Sequence, residues 1–358
     1  MKTHKHLWEN LCTFENLEQA YEQARRGKYG NPVVVEFRKH WQLHLCTILK
    51  ELRTHTYKPR PLRKFVLRDP KTRVICVSEF RDRVIHHALV NILQPVFEPL
   101  FIHDSYASRK GKGTLPALKR FDIFKWKITS NCTRGQGFVF KADIKHYFET
   151  VDHAVLLRII QKRVKDENII WLIRQILDNY DSGTPGKGMP LGNWTSQFFA
   201  NVYLNELDQF VKHILRAKYY VRYVDDFVIL HKSKKILQEY EQRINEFLQT
   251  LKINLHPTKC KIIPLGQGIS FLGFRIFYHH KLLRKRNIRK IKAKLAFLLE
   301  EYESGWADAY DVLETLHGWN AYAVHGNTFR LRQRLDCSVK KELETRTKTR
   351  SAFRVRNT

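Results

Sequence analysis

The sequence predicts an α+β fold. Apolar residues make up 43% of its 358 positions, while only 16 are Gly and 11 are Pro, so a wholly disordered or collagen-like chain is excluded. Short β-prone runs recur in separated parts of the chain, and stretches with helical apolar spacing lie between them. Strands drawn from separated segments, with helices between them, indicate an α+β domain of about 220 residues.

The N-terminal elements divide into a helical and a β-rich part. Residues 1–55 have apolar residues at helical spacing and predict a helical extension. The run RTHTYKPRPLRKFVLRDPKTRVICVSEF then brings prolines, basic residues and short β-prone segments. A second helical stretch, RDRVIHHALVNIL, follows it. We therefore place the start of the main domain at 56 and its end at 278.

The centre of the main domain alternates between strands and helices. GFVFKADIKHYF reads as a buried strand that ends in polar residues, and HAVLLRIIQKRVKDENIIWLIRQIL has helical periodicity. Asp181–Asn193 predicts a loop, and TSQFFANVYLNELDQFVKHIL predicts an amphipathic helix. The β-prone runs YYVRY and FVIL flank Val224-Asp225-Asp226, the pattern of a hairpin whose tip carries two carboxylates. ISFLGFRIF predicts a further strand.

The composition changes after 278. KLLRKRNIRKIKAK has eight Lys or Arg in fourteen positions, yet its apolar residues keep helical spacing, so a basic-faced helix begins a small helical domain over 279–338. The last residues, 339–358, are too polar to build a core and predict a basic, disordered tail.

Charge narrows the classes of partner. The chain has 64 Lys and Arg against 35 Asp and Glu, a net charge of +29, and such an excess in a folded protein usually meets polyanions, nucleic acid above all. Its six cysteines form no C-x-x-C pair, and no apolar stretch approaches the roughly 20 residues that cross a bilayer. The start lacks the apolar segment of a signal peptide. We therefore expect a cytoplasmic protein without membrane partners.

Three carboxylates are candidates for chemistry. Asp225 and Asp226 interrupt a hydrophobic run, and Asp143 has the same setting, where an isolated charge is unfavourable unless it is paired, hydrated or bound to a cation. Neighbouring strands could bring Asp143 and Asp225 to one edge as a hard oxygen site suited to Mg²⁺. The alternative is that Asp225 and Asp226 are simply turn residues, a role that Asp favours.

Five segments, in order over about 200 residues, resemble the reverse transcriptases. YVDD resembles their metal-binding signature, and KADIKHYFETVDH their first catalytic segment. SYASRKGKGTLPAL, MPLGNWTSQFFANVYLNELD and FLGF resemble the template-side segment, the nucleotide-pocket loop with its helix, and the primer grip. The resemblance implies an RNA-directed DNA polymerase with a right-hand fold: fingers, a palm of antiparallel sheet plus helices, and a small helical thumb.

The resemblance also implies a role for individual residues. Catalysis and metal binding fall to Asp143, Ile144, Asp225 and Asp226, which would hold two Mg²⁺ ions, with Mn²⁺ as a possible substitute. Phe148 is the implied steric gate against a ribose 2′-hydroxyl, and Lys259 the implied acid for pyrophosphate departure. The implied dNTP-binding residues are Lys64, Arg73, Phe148, Leu191, Gly192, Gln197 and Lys259. The implied primer and template residues are Tyr223, Phe271, Leu272, Gly273, Arg109, Lys110, Lys285 and Arg289.

The nucleotide-pocket segment refines the resemblance. Its L-G-x-x-x-S-Q form, from Leu191 to Gln197, is similar to that of reverse transcriptases from diversity-generating retroelements, which are related to the group II intron enzymes. That type implies a structured template RNA, error-prone copying of template adenines, mutagenic retrohoming of the cDNA, and a small helical accessory variability protein as partner. A tenfold loss of fidelity corresponds to only about 1.4 kcal/mol.

Two alternatives remain open. The first is a defence-associated or group II-like reverse transcriptase without mutagenic retrohoming. The second, from a different class, is a catalytically silent RNA-binding scaffold that keeps the fold. The presence of Asp143, Asp225 and Asp226 disfavours the scaffold.

Overall fold

Four helices begin the chain in the computed structural model, which describes residues 2–68, 72–130 and 137–356. They are α1 (Leu7–Leu11), α2 (Phe14–Arg25), α3 (Pro32–Lys39) and α4 (Trp41–Arg53). The Thr13 hydroxyl caps α2 by accepting from the Asn16 N–H, and Asn31 caps α3 in the same way ahead of a proline. Leu17 of α2 and Ile48 of α4 are fully buried, so these helices contribute to the core.

A two-stranded ribbon and a long helix follow. Strands β1 (Arg63–Leu67) and β2 (Arg73–Val77) pair antiparallel, with Phe65 opposite Ile75, and residues 69–71 between them lie outside the described residues. All of β1 is exposed. Helix α5 (Phe80–Phe97) is largely buried and packs against α2.

The central part contains the largest sheet. Its helices are α6 (Thr114–Ile128), α7 (Tyr147–Thr150), α8 (His153–Gln161), α9 (Glu167–Asp178), α10 (Trp194–Gln209) and α11 (Lys234–Thr250). Its strands are β3 (Phe138–Asp143), β4 (Tyr220–Tyr223), β5 (Asp226–His231) and β6 (Lys261–Pro264), in the sheet order β4-β5-β3-β6. Helix α10 is buried on nearly every side and continues as a π-helical turn over Phe210–Ile214, which suits a helix in the middle of a domain.

A second, three-stranded sheet and three helices complete the chain. Strands β7 (Ile269–Phe271), β8 (Phe274–Ile276) and β9 (Lys281–Leu283) pair antiparallel in that order. They precede α12 (Lys285–Ser304), α13 (Ala309–Ala323) and α14 (Phe329–Arg356). The helices share a core of Ile291, Leu295, Leu299, Tyr302, Val312, Leu316, Leu335, Val339 and Leu343.

Helix α14 differs from the expectation of a disordered tail over 339–358. The helix continues past 338 to Arg356, and both Val339 and Leu343 are buried in the helical core. The physical reason is the apolar spacing of Leu335, Val339 and Leu343, since residues four apart lie on one face of a helix. The many charged residues of this segment occupy the remaining positions around that face.

The structure agrees with the predicted α+β class, because antiparallel sheets and helices alternate along the chain. The chain divides into two compact units, one of Met1–Arg120, Phe140–Ile229 and Lys235–Lys261, the other of Phe121–Val139, Leu230–Lys234 and Ile262–Thr358. Among the described residues, no helix combines the length and the apolarity that a bilayer crossing requires.

Candidate active site

The hairpin with the two adjacent aspartates forms as the sequence predicts. Tyr223 of β4 pairs with Asp226 of β5, so Val224 and Asp225 form a two-residue turn. Val224 has φ 54°, a left-handed conformation that a β-branched residue rarely adopts and that usually falls to Gly at this turn position. The turn that carries Asp225 is therefore strained, and contacts with the surrounding residues must stabilise its conformation.

Asp143 lies at the end of the neighbouring strand. The Ile144 N–H donates to the Asp225 carbonyl at 3.2 Å, and the Asp143 carbonyl accepts from the His256 N–H at 2.8 Å. The fold thus brings together two aspartates from distant parts of the chain. The Lys259 ammonium lies 2.5 Å from the Asp143 carboxylate and partly balances its charge.

Burial and mutual repulsion disfavour the ionised forms of Asp225 and Asp226, so positive charge nearby stabilises them. Burial, together with the Asp143 carboxylate, raises the pKa of Asp225, while Lys259 and Arg73 act in the opposite direction. Burial also raises the pKa of Asp226, to about 6, although Lys141 lies 3.5 Å from its Oδ2. Among the described residues, the buried Oδ1 of Asp226 has no hydrogen-bond partner.

The three carboxylates do not form one ligand group. In the described ranges, no three His, Cys, Asp or Glu side chains are arranged to hold a metal ion. Asp226 begins β5 and faces Lys141, whereas Asp225 belongs to the turn beside β3. Asp143 and Asp225 are both hard oxygen donors, and a divalent cation would balance their like charges.

The predicted nucleotide loop lies on the β1–β2 ribbon. The Cys76 N–H of β2 donates to the Leu191 carbonyl at 3.2 Å, and the Ser78 N–H donates to Asn193 Oδ1 at 3.1 Å. Gly192 has φ 119°, and a Cβ there would lie 3.0 Å from Cγ2 of Ile75. The positive φ therefore favours glycine at 192, and the close approach of strand β2 adds to that preference.

Two more predicted nucleotide residues adjoin this loop. The Met189 N–H donates to the Phe148 carbonyl at 2.6 Å, which ties Phe148, the implied gate, to the start of the loop. The Gln197 side chain, one turn into α10, accepts from the Ser108 hydroxyl at 2.8 Å. Hydrogen bonds therefore join the loop to the Phe148 segment, and α10 to the predicted template segment.

The two cations of the ribbon differ in position. Both Lys64 and Arg73 are exposed. The charge of Arg73 opposes the rise in the pKa of Asp225. Lys64 lies on the other strand of the ribbon, opposite Cys76, which is three residues beyond Arg73. Arg73 therefore lies within electrostatic range of Asp225.

The predicted template and primer residues of the first unit are placed unequally. Tyr223 accepts a hydrogen bond from Thr114 at 3.3 Å. The Arg109 side chain is only 7% exposed, since its guanidinium donates to Glu98 and to the carbonyls of Ile102 and Ser105. Arg109 thus holds its own loop together, whereas its neighbour Lys110 is exposed.

The predicted primer grip is the turn between β7 and β8. Leu272 and Gly273 have φ 44° and 90°, as a two-residue hairpin turn with both central residues left-handed requires. Phe271 is buried, with its ring 5.7 Å from that of Phe121. Lys285 and Arg289 lie exposed, four residues apart on one face of α12.

Sequence reasoning missed Arg222 and Lys141. The Arg222 side chain is fully buried in β4 and pairs with Asp208. Lys141, a residue of β3, lies beside Asp226 of β5. The available signal was a basic residue inside a β-prone run, YYVRY and FVFKAD respectively, because an unpaired charge is unfavourable there.

A hairpin presents Asp225 and Asp226 next to Asp143 at the end of β3, an arrangement that suits the chemistry of a polymerase. The family model of "Reverse transcriptase (RNA-dependent DNA polymerase)" matches residues 63–276, more than half of the chain. The chain therefore belongs to the reverse transcriptase family and is an RNA-directed DNA polymerase.

Curated relatives place it near the group II intron enzymes. Protein YkfC of Escherichia coli (strain K12) is 27% identical over 287 residues, which cover 68% of this chain and 72% of that protein. The group II intron-encoded protein LtrA of Lactococcus lactis subsp. cremoris is 26% identical over 305 residues, 64% of this chain and 49% of LtrA. This chain thus spans about half the length of LtrA. It is a reverse transcriptase related to those of group II introns.

Solved structures confirm the right-hand polymerase fold. Apo telomerase from Candida tropicalis superposes with a TM-score of 0.51 at 14% identity and covers 80% of this chain and 60% of its own. Telomerase from Candida albicans, in complex with a fragment of telomeric RNA, gives 0.52 at 14% identity, with 83% and 56% covered. At this identity the likeness concerns the fold alone.

Proposed function

We propose that this reverse transcriptase is of the diversity-generating retroelement type. It copies a structured template RNA into cDNA, errs often at template adenines, and serves mutagenic retrohoming. The observation that carries the proposal is the L-G-x-x-x-S-Q segment at the nucleotide pocket, in which Leu191 offers only an apolar side chain. A pocket without a polar side chain at this point holds the incoming base pair less tightly, and small energy differences then decide fidelity.

The proposed chemistry uses Asp143 and Asp225 as ligands of two divalent ions, with the Ile144 carbonyl completing the set. When bound, the ions activate the primer 3′-hydroxyl and stabilise the departing pyrophosphate. Arg73 and Lys64 bind the triphosphate from the β1–β2 ribbon, because cations on this ribbon match its charge. The family uses divalent metal ions, and we assign Mg²⁺, with Mn²⁺ as a substitute, on the hard oxygen donors.

Other residues of the site act on protons and on specificity. Lys259, whose ammonium lies 2.5 Å from Asp143, supplies a proton to the leaving pyrophosphate oxygen. Phe148, tied to the nucleotide loop through its carbonyl, excludes nucleotides that carry a 2′-hydroxyl. Asp226, the second aspartate of the hairpin, would lie close to the ions and need not coordinate both.

The proposed partners follow from charge. Exposed Lys110 in the template segment, and Lys285 and Arg289 on α12, contact the phosphates of template RNA and cDNA. The resemblance to the retroelement enzymes implies a further partner, a small helical accessory variability protein. These partners belong to the proposed retroelement role.

Sequencing of cDNA made in vitro tests the proposal. The full chain extends a primer on an RNA template with all four dNTPs and Mg²⁺, and errors are scored opposite each template base. We expect at least tenfold more errors opposite adenine than opposite the other three bases. An Asp225→Ala chain, prepared in parallel, should make no product, which excludes a contaminating polymerase.

A uniform, low error rate would contradict the proposal and favour the group II-like alternative, which the similarity to LtrA supports. The scaffold alternative requires a chain without polymerase activity. The family assignment argues against that scaffold.

A further inference from the structure

The side chain of Arg222 is fully buried at the centre of β4. Its Nε donates to Oδ1 of Asp208 at 2.7 Å and its Nη2 donates to Oδ2 at 2.5 Å, so the two side chains form a bidentate pair. Asp208 lies on α10 and also accepts from the Tyr220 hydroxyl at 2.7 Å. A buried ion pair is weak evidence for stability, because an apolar pair of similar volume often serves as well. The pair therefore calls for another explanation.

The third nitrogen of the guanidinium supplies one. Nη1 of Arg222 donates to the carbonyl of Val224 at 3.1 Å. Val224 is the turn residue with φ 54°, and the next residue is Asp225. Arg222 thus binds the strained peptide unit immediately before the aspartate that faces Asp143.

The same nitrogen connects the turn to α10 and to the template segment. It donates to Asn201 Oδ1 at 3.3 Å, and Asn201 in turn donates to the Ala107 carbonyl at 2.8 Å. The backbone of Arg222 contributes as well, since its N–H donates to the Asp104 carbonyl and its carbonyl accepts from Tyr106, both at 3.0 Å. The side chain of Arg222 therefore joins the hairpin to α10, and its backbone joins the hairpin to the loop before α6.

We infer that Arg222 is a positioning residue: its guanidinium holds the Val224–Asp225 turn, while Asp208 and Asn201 hold the guanidinium. The position of the Asp225 carboxylate is thereby fixed relative to α10. This inference rests on the proposed role of Asp225 as a metal ligand. It does not depend on whether the enzyme belongs to a retroelement.

The test separates positioning from mere support of the core. The double variant Arg222→Met with Asp208→Leu replaces the ion pair by an apolar pair and removes the bond to Val224. Arg222→Lys keeps the charge, but a lysine ammonium lacks the planar guanidinium that donates to both Asp208 and Val224. Tyr220→Phe is the matched control, because it removes a buried hydrogen bond to Asp208 and leaves the bond to Val224 intact.

Three measurements are made on each full-length variant: urea unfolding, primer-extension kcat and KM for dNTP, and amide hydrogen exchange of the turn peptide in EDTA. We expect the double variant to remain folded at a lower urea midpoint, because the Tyr220 hydroxyl and Asn201 Oδ1 lose their partners, yet to lose kcat at least tenfold at similar KM and to exchange the turn amides faster. Arg222→Lys should fall between it and the wild type. Tyr220→Phe should lose stability but keep kcat within twofold.

Wild-type kcat and unchanged exchange in folded Arg222→Lys or in the double variant would overturn the inference. If the double variant does not fold, Arg222→Lys alone decides it by the same two readouts. An active Asp225→Asn chain would instead reject the metal-ligand role on which the inference rests, so the two failures can be distinguished.

Discussion

At the scale of one residue, the burial of the Asp226 carboxylate lowers the stability of the folded protein. Its Oδ1 is buried without a partner among the described residues, and its Oδ2 has only Lys141 at 3.5 Å. Burial outweighs that attraction, so the pKa of Asp226 is raised to about 6 from an ordinary value of 3.8. The folded protein therefore resists the ionisation of this carboxyl.

We predict that Asp226→Asn stabilises the metal-free protein. In the wild type, stability falls as the pH rises from about 3.8 to about 6, because the unfolded chain loses this proton first. At about 1.4 kcal/mol per pH unit the loss approaches 3 kcal/mol, and the lost contact with Lys141 reduces the gain, so we expect about 1 to 3 kcal/mol at pH 7.5. Urea unfolding in EDTA measures it. An equal or lower stability of the variant contradicts the argument.

The candidate carboxylates could be predicted from the sequence, and their supports could not. Asp143 and Asp225 stand out because an acidic residue inside an apolar run requires a reason. Arg222 also lies in an apolar run, but its partner Asp208 is on another element and only the fold brings them together. Arg109 matched the template segment by position, yet its donors are used within its own loop.

At the scale of elements, the β7–β8 turn packs closely against a side chain of α13. Gly273 has φ 90°, and a Cβ on it would overlap the hydroxyl of Tyr322. Gly273 is thus needed twice, for its conformation and for space. Gly183 offers a comparison, because its φ of 81° is similar but nothing lies within 4 Å of its missing Cβ.

We predict that Gly273→Ala lowers the free energy of unfolding by about 2 to 3 kcal/mol, from strain plus overlap. Gly183→Ala should lose only about 1 kcal/mol, since strain acts alone there. Adding Tyr322→Phe to Gly273→Ala removes the overlapping oxygen and should restore about 1 kcal/mol or more. A double-mutant cycle by urea unfolding measures this coupling, and simple additivity would count against the contact.

The elements themselves differ in how far the sequence specifies them. The aspartate hairpin could be placed because two β-prone runs flank its turn. Helix α14 could not be bounded in the same way, since its apolar residues are sparse and only packing against α12 and α13 buries Val339 and Leu343. Net polarity suggested a tail, but three apolar residues at four-residue spacing are sufficient for a helix with partners.

For the whole molecule, the dominant property is the net charge of +29. Contacts between many Lys or Arg side chains and nucleic-acid phosphates release counterions, so affinity falls steeply with salt. Lys285 and Arg289 are well suited to such contacts, because both are exposed on one face of α12. Lys162 is a suitable comparison, since its ammonium lies 2.8 Å from Glu206 and its charge is locally balanced.

We predict a strongly negative slope of log affinity against log salt for an RNA/DNA template-primer duplex. The double variant Lys285→Gln with Arg289→Gln should make that slope shallower by about 1.4 to 1.8, because each lost phosphate contact contributes about 0.7 to 0.9. Lys162→Gln should leave it unchanged. Fluorescence anisotropy between 50 and 300 mM KCl measures the three slopes, and affinities known to within about twofold are sufficient. A flat wild-type response rejects electrostatic binding altogether, while equal slopes for wild type and double variant place the duplex away from this face of α12.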